Sequence, residues 1–398
     1  MDTAELAYAG IARQAELVRA GEVSSRELVE LCLDRIARLD PQLNAFRVVW
    51  GERALADGAA ADRRRANGDS AALLGVPIAI KDELAQVEGE VTTLGTGAVD
   101  EPASADSEMV RRLRSAGAVL LGKTNLPELA ICGFTESKTW GITRNPWDPA
   151  RTPGGSSGGS GAAVATGMVG AATGSDGAGS IRIPAANCGL FGLKPQRGRV
   201  TLAPLGEHWR GLSVNCCLSR TVRDKALFLD VTAGPAAGET SSPPPPERPF
   251  LEAADRPPDR LRVAVSMRPP RLLAPPIVDD SVRGAVEGTA ELLRSLGHRT
   301  GERDPAFGLV GNAFTPVFLH GIHDDVRAVP HPERLESRTR GFGRMGGLIP
   351  RRSLRRALDA IPKHAQRIGR LFEDHDVLLT PTVGVPPVEV GRWEGRGR

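Results

Sequence analysis

Short, almost continuously apolar runs alternate along the chain with segments of helical periodicity. Residues 74–80 and 118–123 are two such runs, and they are typical of strands that are covered on both faces. Around them, residues 24–36 and 107–116 place mostly apolar side chains at the three- and four-residue spacing of a helix. Helices that lie between buried strands predict an α/β fold.

The same alternation resumes after a stretch rich in proline. Residues 243–246 are four consecutive prolines, which predict a connection on the surface. Beyond them the pattern predicts strands at 261–265 and 376–381 and helices at 278–296 and 350–373. The predicted segments are an N-terminal helical part of the same domain at 1–66, a core at 67–233, a proline-rich surface connection at 234–259, a C-terminal part at 260–384 and a tail at 385–398.

The composition is that of an ordinary globular protein, with 398 residues, 40% hydrophobic and 25% charged. Lys and Arg number 51 against 48 Asp and Glu, a net charge of +3, which does not indicate nucleic acid or a membrane as a partner. The arginine clusters at 63–65 and 351–356 are interpreted as solvated helix faces. The N-terminus lacks the basic and apolar regions of a signal peptide, so we expect a cytoplasmic protein.

The five cysteines contain no C-x-x-C pair, and this usage fits a reducing compartment. A cysteine nucleophile is one interpretation of them, and buried, inert thiols are the commoner alternative. They are Cys32, Cys132, Cys188, Cys216 and Cys217.

Lys81 ends the apolar run at 74–80. An isolated buried ammonium is costly, so burial lowers the pKa of a lysine and makes it available as a base. The alternative interpretation is a lysine at a strand end that reaches water and pairs with Asp82 or Glu83.

Two serine-bearing glycine loops follow, at 154–160 and 177–182. In the first, glycines let backbone N–H groups approach a ligand, and a helix predicted at 162–169 points its positive end toward them. Phosphate binding is a rival interpretation, although the G-K-[ST] ending of a P-loop is missing. A flexible linker is the third interpretation of this loop.

The second loop sets Ser180 among consecutive small residues that expose backbone N–H donors. Acyl transfer needs this combination of a nucleophile and oxyanion donors. Asp176 and Arg182 flank the loop and could form an orienting ion pair. The alternative is an ordinary glycine turn whose serine meets only solvent.

The two loops and the lysine strand together carry a resemblance to a known family. The motifs GVPIAIKDE, KTNLPEL, NPWDPARTPGG, GGSSGGSG, GSDGAGSIRIPAANCG and LFGLKP are similar to those of amidase signature enzymes. The resemblance extends through SRTVRDKALFLD and more weakly to DVLLTPT. It covers most of residues 24–384 and implies one α/β/α domain around a large mixed sheet.

The resemblance implies a role for each matching residue. Ser180 would be the nucleophile, Ser156 the bridging serine after a cis Gly155–Ser156 peptide, and Lys81 the base. Ser157 would be an accessory hydroxyl. The backbone N–H groups of Gly177, Ala178, Gly179 and Ser180 would form the oxyanion hole, and Ala130, Ile131, Cys132 and Gly133 would line the substrate pocket.

The implied activity is hydrolysis of a small-molecule carboxylic amide to an acid plus ammonia or an amine, with no metal and no cofactor. Two alternatives stay open: a glutamine-hydrolysing subunit of a tRNA-dependent amidotransferase, and an inactive member of the family. A homodimer is a further assembly to be tested.

The sequence departs from the family pattern in two places. Alanine stands at 178 where glycine is usual, which a backbone donor tolerates. The chain also ends soon after Thr380-Pro381-Thr382, where family members continue. We therefore expect a domain that is short at its C-terminus, with residues 377–379 at an open sheet edge and with reduced stability or turnover.

Overall fold

The computed structural model describes residues 2–239, 242–270 and 277–393. Their contacts form two compact units. The first comprises Met1–Asp255, Val326–Arg340 and Glu389–Arg398, and the second comprises Arg256–Asp325 and Gly341–Val388. Parts of the predicted connection, at 240–241, and of the predicted tail, at 394–398, lie outside the described residues. The segment boundaries taken from the sequence stay predictions.

A six-stranded mixed sheet organises the first unit. Among its described residues, the first unit has eight strands: β1 (Phe46–Val49), β2 (Pro77–Lys81), β3 (Val119–Thr124), β4 (Glu136–Ser137), β5 (Gly141–Ile142), β6 (Ala171–Asp176), β7 (Phe191–Gly192) and β8 (Val214–Ser219). The large sheet has the order β1-β3-β2-β6-β8-β7, and β4 pairs with β5 alone. The central strand β2 runs parallel to both β3 and β6, whereas β8 runs antiparallel to β6.

Helices cover both faces of this sheet. The helices in this part of the chain are α1 (Thr3–Tyr8), α2 (Gly10–Ala20), α3 (Ser25–Leu43), α4 (Gly51–Ala66), α5 (Glu108–Ser115), α6 (Gly158–Ala165), α7 (Arg182–Cys188), α8 (Val222–Thr232) and α9 (Phe250–Ala254). Short 3-10 turns lie at Glu128–Ala130, Trp209–Gly211 and Pro332–Arg334.

The alternation of side chains along β2 separates two apolar cores. Ile78 and Ile80 pack with residues of α2, α5 and α8, whereas Ala79 packs with residues of α3, α4 and α6. Both faces of the strand are therefore buried, which explains why its sequence lacks polar alternation. The predicted α/β/α arrangement around a large mixed sheet is confirmed.

Helix α6 begins four residues earlier than the sequence pattern predicts, at Gly158. Glycine is a poor helix former, but a close approach of backbones outweighs that preference here. A Cβ on Gly159 would lie 2.5 Å from Asn125 N and 2.6 Å from Asn125 O. The first serine loop therefore runs directly into the helix.

The second unit contains a three-stranded parallel sheet. Its strands are β9 (Arg262–Val265), β10 (Arg299–Glu302) and β11 (Val377–Leu379), in the order β10-β9-β11. The edge strand β11 leaves Val377 exposed. The last helices along the chain are α10 (Asp280–Ser295), α11 (Val310–Ala328), α12 (Ser337–Gly347), α13 (Arg351–Gly369) and α14 (Leu371–Asp374). Among the described residues, every helix is too short or too polar to cross a membrane.

Candidate active site

Lys81 lies at the end of β2, between β3 and β6, and is only 2% exposed. Its backbone N–H donates to Thr173 Oγ1 of β6 at 2.7 Å, which fixes the strand end against its neighbour. The apolar residues before it bury the strand, so the ammonium side chain cannot reach water. This position excludes the alternative of a lysine that is solvated at a strand end.

Three groups surround the Lys81 ammonium nitrogen. Nζ donates to Ser156 Oγ at 2.7 Å and to Ser175 Oγ at 2.7 Å, and it lies 2.8 Å from Glu83 Oε2. An ammonium has three donors, so these three contacts use all of them. Ser175 in turn donates to the Glu83 carboxylate, which closes a ring of contacts behind Lys81.

Burial is the largest influence on the pKa of Lys81 and lowers it, while Glu83 and, less strongly, Asp176 oppose the decrease. Burial would by itself raise the pKa of Glu83, but the charge of Lys81 and then that of His208 hold the pKa of this carboxyl below its ordinary value. The pKa of Lys81 therefore lies below that of a free lysine, which is the direction that a general base requires.

The loop that carries Ser156 is held by close contacts with residues 132–135. Thr135 Oγ1 donates to the carbonyl of Gly154 at 2.8 Å. A Cβ on Gly155 would lie 2.7 Å from Cys132 O and 2.7 Å from Phe134 N, so only glycine fits there. The Gly155–Ser156 peptide is cis, as the family resemblance implied.

The second loop leaves the end of β6 and is braced by Asp176. The Asp176 carboxylate accepts from the Gly179 and Ile181 backbone N–H groups at 2.7 and 3.3 Å. It also accepts from Arg182 Nε and Nη2, both at 2.9 Å. The predicted ion pair between Asp176 and Arg182 is confirmed. This ion pair lowers the pKa of Asp176: burial alone would raise that pKa, but the Arg182 guanidinium holds it below its ordinary value.

Ser180 is the member of the predicted triad that lies nearest the surface, at 9% exposed, whereas Ser156 is fully buried. The Ser157 N–H donates to the Ser180 carbonyl at 3.2 Å, so the two serine loops are directly joined. Ser157 Oγ donates to the carbonyl of Ser175 at 3.4 Å. The structure therefore brings Lys81, both serine loops and the accessory serine together.

The structure differs from the expected oxyanion donors at one position. The N–H of Gly179 donates to Asp176, so it is not available to a ligand in this conformation. In the part of the chain that the structure describes, the N–H groups of Gly177, Ala178 and Ser180 donate to no other protein group. The sequence could not separate these cases because it does not reveal which N–H the aspartate takes.

The predicted pocket segment lies beside both loops. Ala130 is buried, Ile131 and Cys132 are partly exposed, and Gly133 is exposed. Cys132 packs its carbonyl against Gly155 of the first loop, and a Cβ on Gly133 or on Gly179 would meet the side chain of Ile183. The pocket assignment itself stays a prediction.

The five cysteines are all free thiols. Burial raises the pKa of Cys132 to about 11 and that of Cys32 to about 12, and these thiols are poor nucleophiles. In Cys216, burial is overcome by Cys217 and Lys225, which lower the pKa to about 6. Cys216 is nevertheless fully buried inside β8, where no substrate reaches it.

Two residues of the network escape the sequence reasoning. The sequence pattern assigns no role to Ser175, and it offers Glu83 only as a partner for a solvated lysine. The available signal is the acidic residue two positions after Lys81, because a lysine buried by the preceding apolar run needs a partner.

The comparisons with known proteins agree with this geometry. A family model described as Amidase matches residues 27–397. The putative amidase AmiB2 of Mycobacterium tuberculosis is 48% identical over 398 residues, which cover 100% of this chain and 84% of that protein. A glutamyl-tRNA(Gln) amidotransferase subunit of Chromohalobacter salexigens is 37% identical over 94% of this chain and 82% of its own length.

A solved structure extends the similarity to the fold. The structure of 6-aminohexanoate cyclic dimer hydrolase complexed with substrate matches with a TM-score of 0.88 and 32% identity, over 98% of this chain and 84% of that one. The family match across almost the whole chain, the similar sequences and the shared fold lead to one conclusion. This chain belongs to the Amidase family of amidase signature enzymes.

Proposed function

We propose that this protein hydrolyses a small-molecule carboxylic amide through an acyl-enzyme on Ser180, with Ser156 as proton relay and Lys81 as base. The observation that carries the proposal is the 2.7 Å contact between Lys81 Nζ and Ser156 Oγ, in a buried network joined to the loop of Ser180. Serine needs such a base because its hydroxyl is a weak nucleophile.

The reaction begins when Ser180 Oγ attacks the carbonyl carbon of the amide. The Ser180 proton passes to Ser156 Oγ, and the proton of Ser156 passes to the neutral amine of Lys81. The oxyanion that forms accepts hydrogen bonds from the free N–H groups near Ser180, of which Ala178 is one. Such preorganised donors lower the barrier because they need no rearrangement as charge develops.

The tetrahedral intermediate collapses when Ser156 gives a proton to the leaving nitrogen and Lys81 returns one to Ser156. The C–N bond breaks, ammonia or an amine leaves, and Ser180 carries the acyl group as an ester. Water then attacks the ester carbonyl and gives one proton through Ser156 to Lys81, and the same groups return that proton to Ser180 Oγ as its bond to the acyl group breaks. The acid that leaves loses its remaining proton to solvent and becomes a carboxylate. In each half of the cycle, the proton that Lys81 takes up during the attack is returned when the tetrahedral intermediate collapses.

The similarity to the amidotransferase subunit keeps a second function under test. That relative is named for a glutamyl-tRNA(Gln) amidotransferase, so hydrolysis of glutamine within a tRNA-dependent complex is the second candidate. A screen of the isolated chain against aliphatic, aryl and peptide amides separates the two, since the glutamine-hydrolysing subunit would depend on partner chains. Homodimer formation and a cytoplasmic location stay predictions, which sedimentation and cell fractionation would test.

The test of the nucleophile is covalent labelling with a fluorophosphonate probe followed by peptide mapping. We expect the probe on Ser180, and we expect Ser180→Ala to abolish both labelling and amide hydrolysis while the fold survives. The exposed Ser70 offers a control, because Ser70→Ala should label like the parent. Labelling of Ser180→Ala at the parent's rate would exclude Ser180 as the nucleophile.

A further inference from the structure

Glu83 is an acidic residue inside the candidate active site that the proposed mechanism does not use. Its carboxylate is 6% exposed, lies 2.8 Å from Lys81 Nζ and accepts a hydrogen bond from Ser175. We propose that Glu83 is a positioning residue, which aims Lys81 at Ser156 and sets the pH above which Lys81 works as a base. The inference rests on the function proposed above.

The contacts of Lys81 Nζ indicate that Glu83 orients Lys81 toward Ser156. A lysine side chain has four rotatable bonds and holds no direction by itself. Ser175 and Glu83 occupy two of the three donor directions and are bonded to each other. The third direction then points at Ser156 Oγ. Without Glu83, Lys81 Nζ would lose one of the two contacts that fix its orientation.

The charges around Lys81 and Glu83 indicate that Glu83 sets the pH dependence of Lys81. The Glu83 carboxylate lies 2.8 Å from Lys81 Nζ, and the charge of Asp176 of β6 acts on Lys81 less strongly. Asp176 is already paired with the Arg182 guanidinium through two hydrogen bonds, which reduces its effect on Lys81. The charge of His208 also acts on Glu83 and favours its ionised form. Glu83 is therefore the main charge that favours ammonium over amine on Lys81.

The proton balance gives Glu83 two opposite effects on the rate. When Lys81 accepts a proton from Ser156 beside ionised Glu83, the product is a neutral ammonium–carboxylate pair. When glutamine replaces Glu83, the same step creates an isolated buried ammonium, which is unfavourable. Glu83 thus makes Lys81 a stronger base, but it also keeps more of the lysine protonated at low pH.

The experiment compares the pH dependence of kcat/KM for the parent and Glu83→Gln on an amide that the parent hydrolyses. We expect the rising, acid limb of the Gln variant to move to lower pH by about 1–3 units, the usual effect of one opposite charge at this range. Its plateau should be lower, because the base is weaker and less well aimed. Glu83→Asp keeps the charge, so its limb should stay nearer to that of the parent.

Glu88→Gln is the matched control, since Glu88 lies five residues further along with an exposed side chain and its loss changes the net charge equally. Its profile should coincide with that of the parent. A Glu83→Gln profile that is lowered at every pH without movement of its limb would overturn the inference, because a purely structural role predicts that result. Equal displacement in Glu88→Gln would overturn it too.

A second measurement needs no turnover and so separates this inference from the proposed function. The chain has six lysines, and ¹³C labelling at Cε lets each be followed by NMR as the pH changes. We expect the Lys81 midpoint, assigned from the signal that Lys81→Met removes, to fall in Glu83→Gln. If the parent hydrolyses no amide, the proposed function fails and this titration still decides the role of Glu83. An unchanged Lys81 midpoint overturns the inference even if the parent is an active amidase.

Discussion

Replacing Lys81 with methionine should destabilise the protein by an amount that grows with pH. Methionine is similar in length and apolar, so it fills the space of the lysine stem. The substitution removes the ammonium that lies 2.8 Å from Glu83 and leaves that carboxylate buried beside Ser175. Removing one partner of a buried pair costs about 3–5 kcal/mol, because the other charge is left uncompensated.

The free-energy cost of Lys81→Met can also be calculated from the protonation of Glu83. Glu83 can avoid an unpaired charge by taking up a proton, and this costs about 1.4 kcal/mol for each pH unit above the ordinary glutamate pKa of about 4.3. The cost is therefore about 1 kcal/mol at pH 5 and about 3.7 kcal/mol at pH 7. The value at neutral pH lies within the range for breaking a buried pair.

The sign of the pH dependence is opposite in the two proteins. In the parent, the pKa of Glu83 is held below its ordinary value, so this group stabilises the fold above the unfolded pKa and loses that effect as the pH falls. In Lys81→Met, burial without the ammonium raises the pKa of Glu83, so its contribution is lost as the pH rises. The difference in unfolding free energy should widen from pH 5 to pH 7.

Urea unfolding at pH 5, 6 and 7, followed by tryptophan fluorescence, measures this difference. The double variant Lys81→Met/Glu83→Gln removes both charges, so it should recover most of the loss at pH 7. Lys138→Met serves as a control, because the Lys138 side chain is exposed. A Lys81→Met deficit that is the same at pH 5 and pH 7 would refute the reasoning, and so would a double variant less stable than Lys81→Met at pH 7.

Two further substitutions test the base and the packing of the first loop. Lys81→Ala should reduce kcat/KM more at pH 7 than at pH 9, because hydroxide replaces part of the missing base as its concentration rises; a pH–rate profile of unchanged shape would contradict Lys81 as base. Gly159→Ala should lower the free energy of unfolding by about 1–3 kcal/mol, since its Cβ meets the backbone of Asn125. Thermal unfolding measures that change against Gly284→Ala, a helical position with open space around it, which should be neutral or stabilising by about 0.5–1 kcal/mol.

The strand that carries Lys81 could be predicted because its signal is local. The apolar run predicts that the strand is buried, and the lysine that follows it predicts where the strand ends. The fold class follows from the same kind of pattern. The two serine loops could also be found, because their glycines and hydroxyls are adjacent in the sequence.

The ring around Lys81 Nζ could not be predicted in the same way. Ser175 contacts Lys81 only because β6 pairs with β2. The sequences of two strands that are far apart in the chain do not determine the register in which they pair. The predicted start of α6 is wrong for a related reason, since contact with Asn125 decides it rather than the preference of Gly158 and Gly159. The state of the Gly179 N–H likewise depends on where the Asp176 carboxylate turns.

The charge balance of the site has a consequence for release of the product. Lys81 is neutralised by Glu83, and Arg182 is neutralised by Asp176. An amide enters without charge, but the acid that forms from it leaves as an anion. A bare ammonium next to Ser156 would bind that anion as a counterion and retard its departure. Because Lys81 and Arg182 each already have a carboxylate partner, neither attracts the newly formed acid strongly, and the enzyme should be only weakly inhibited by the acid that it makes.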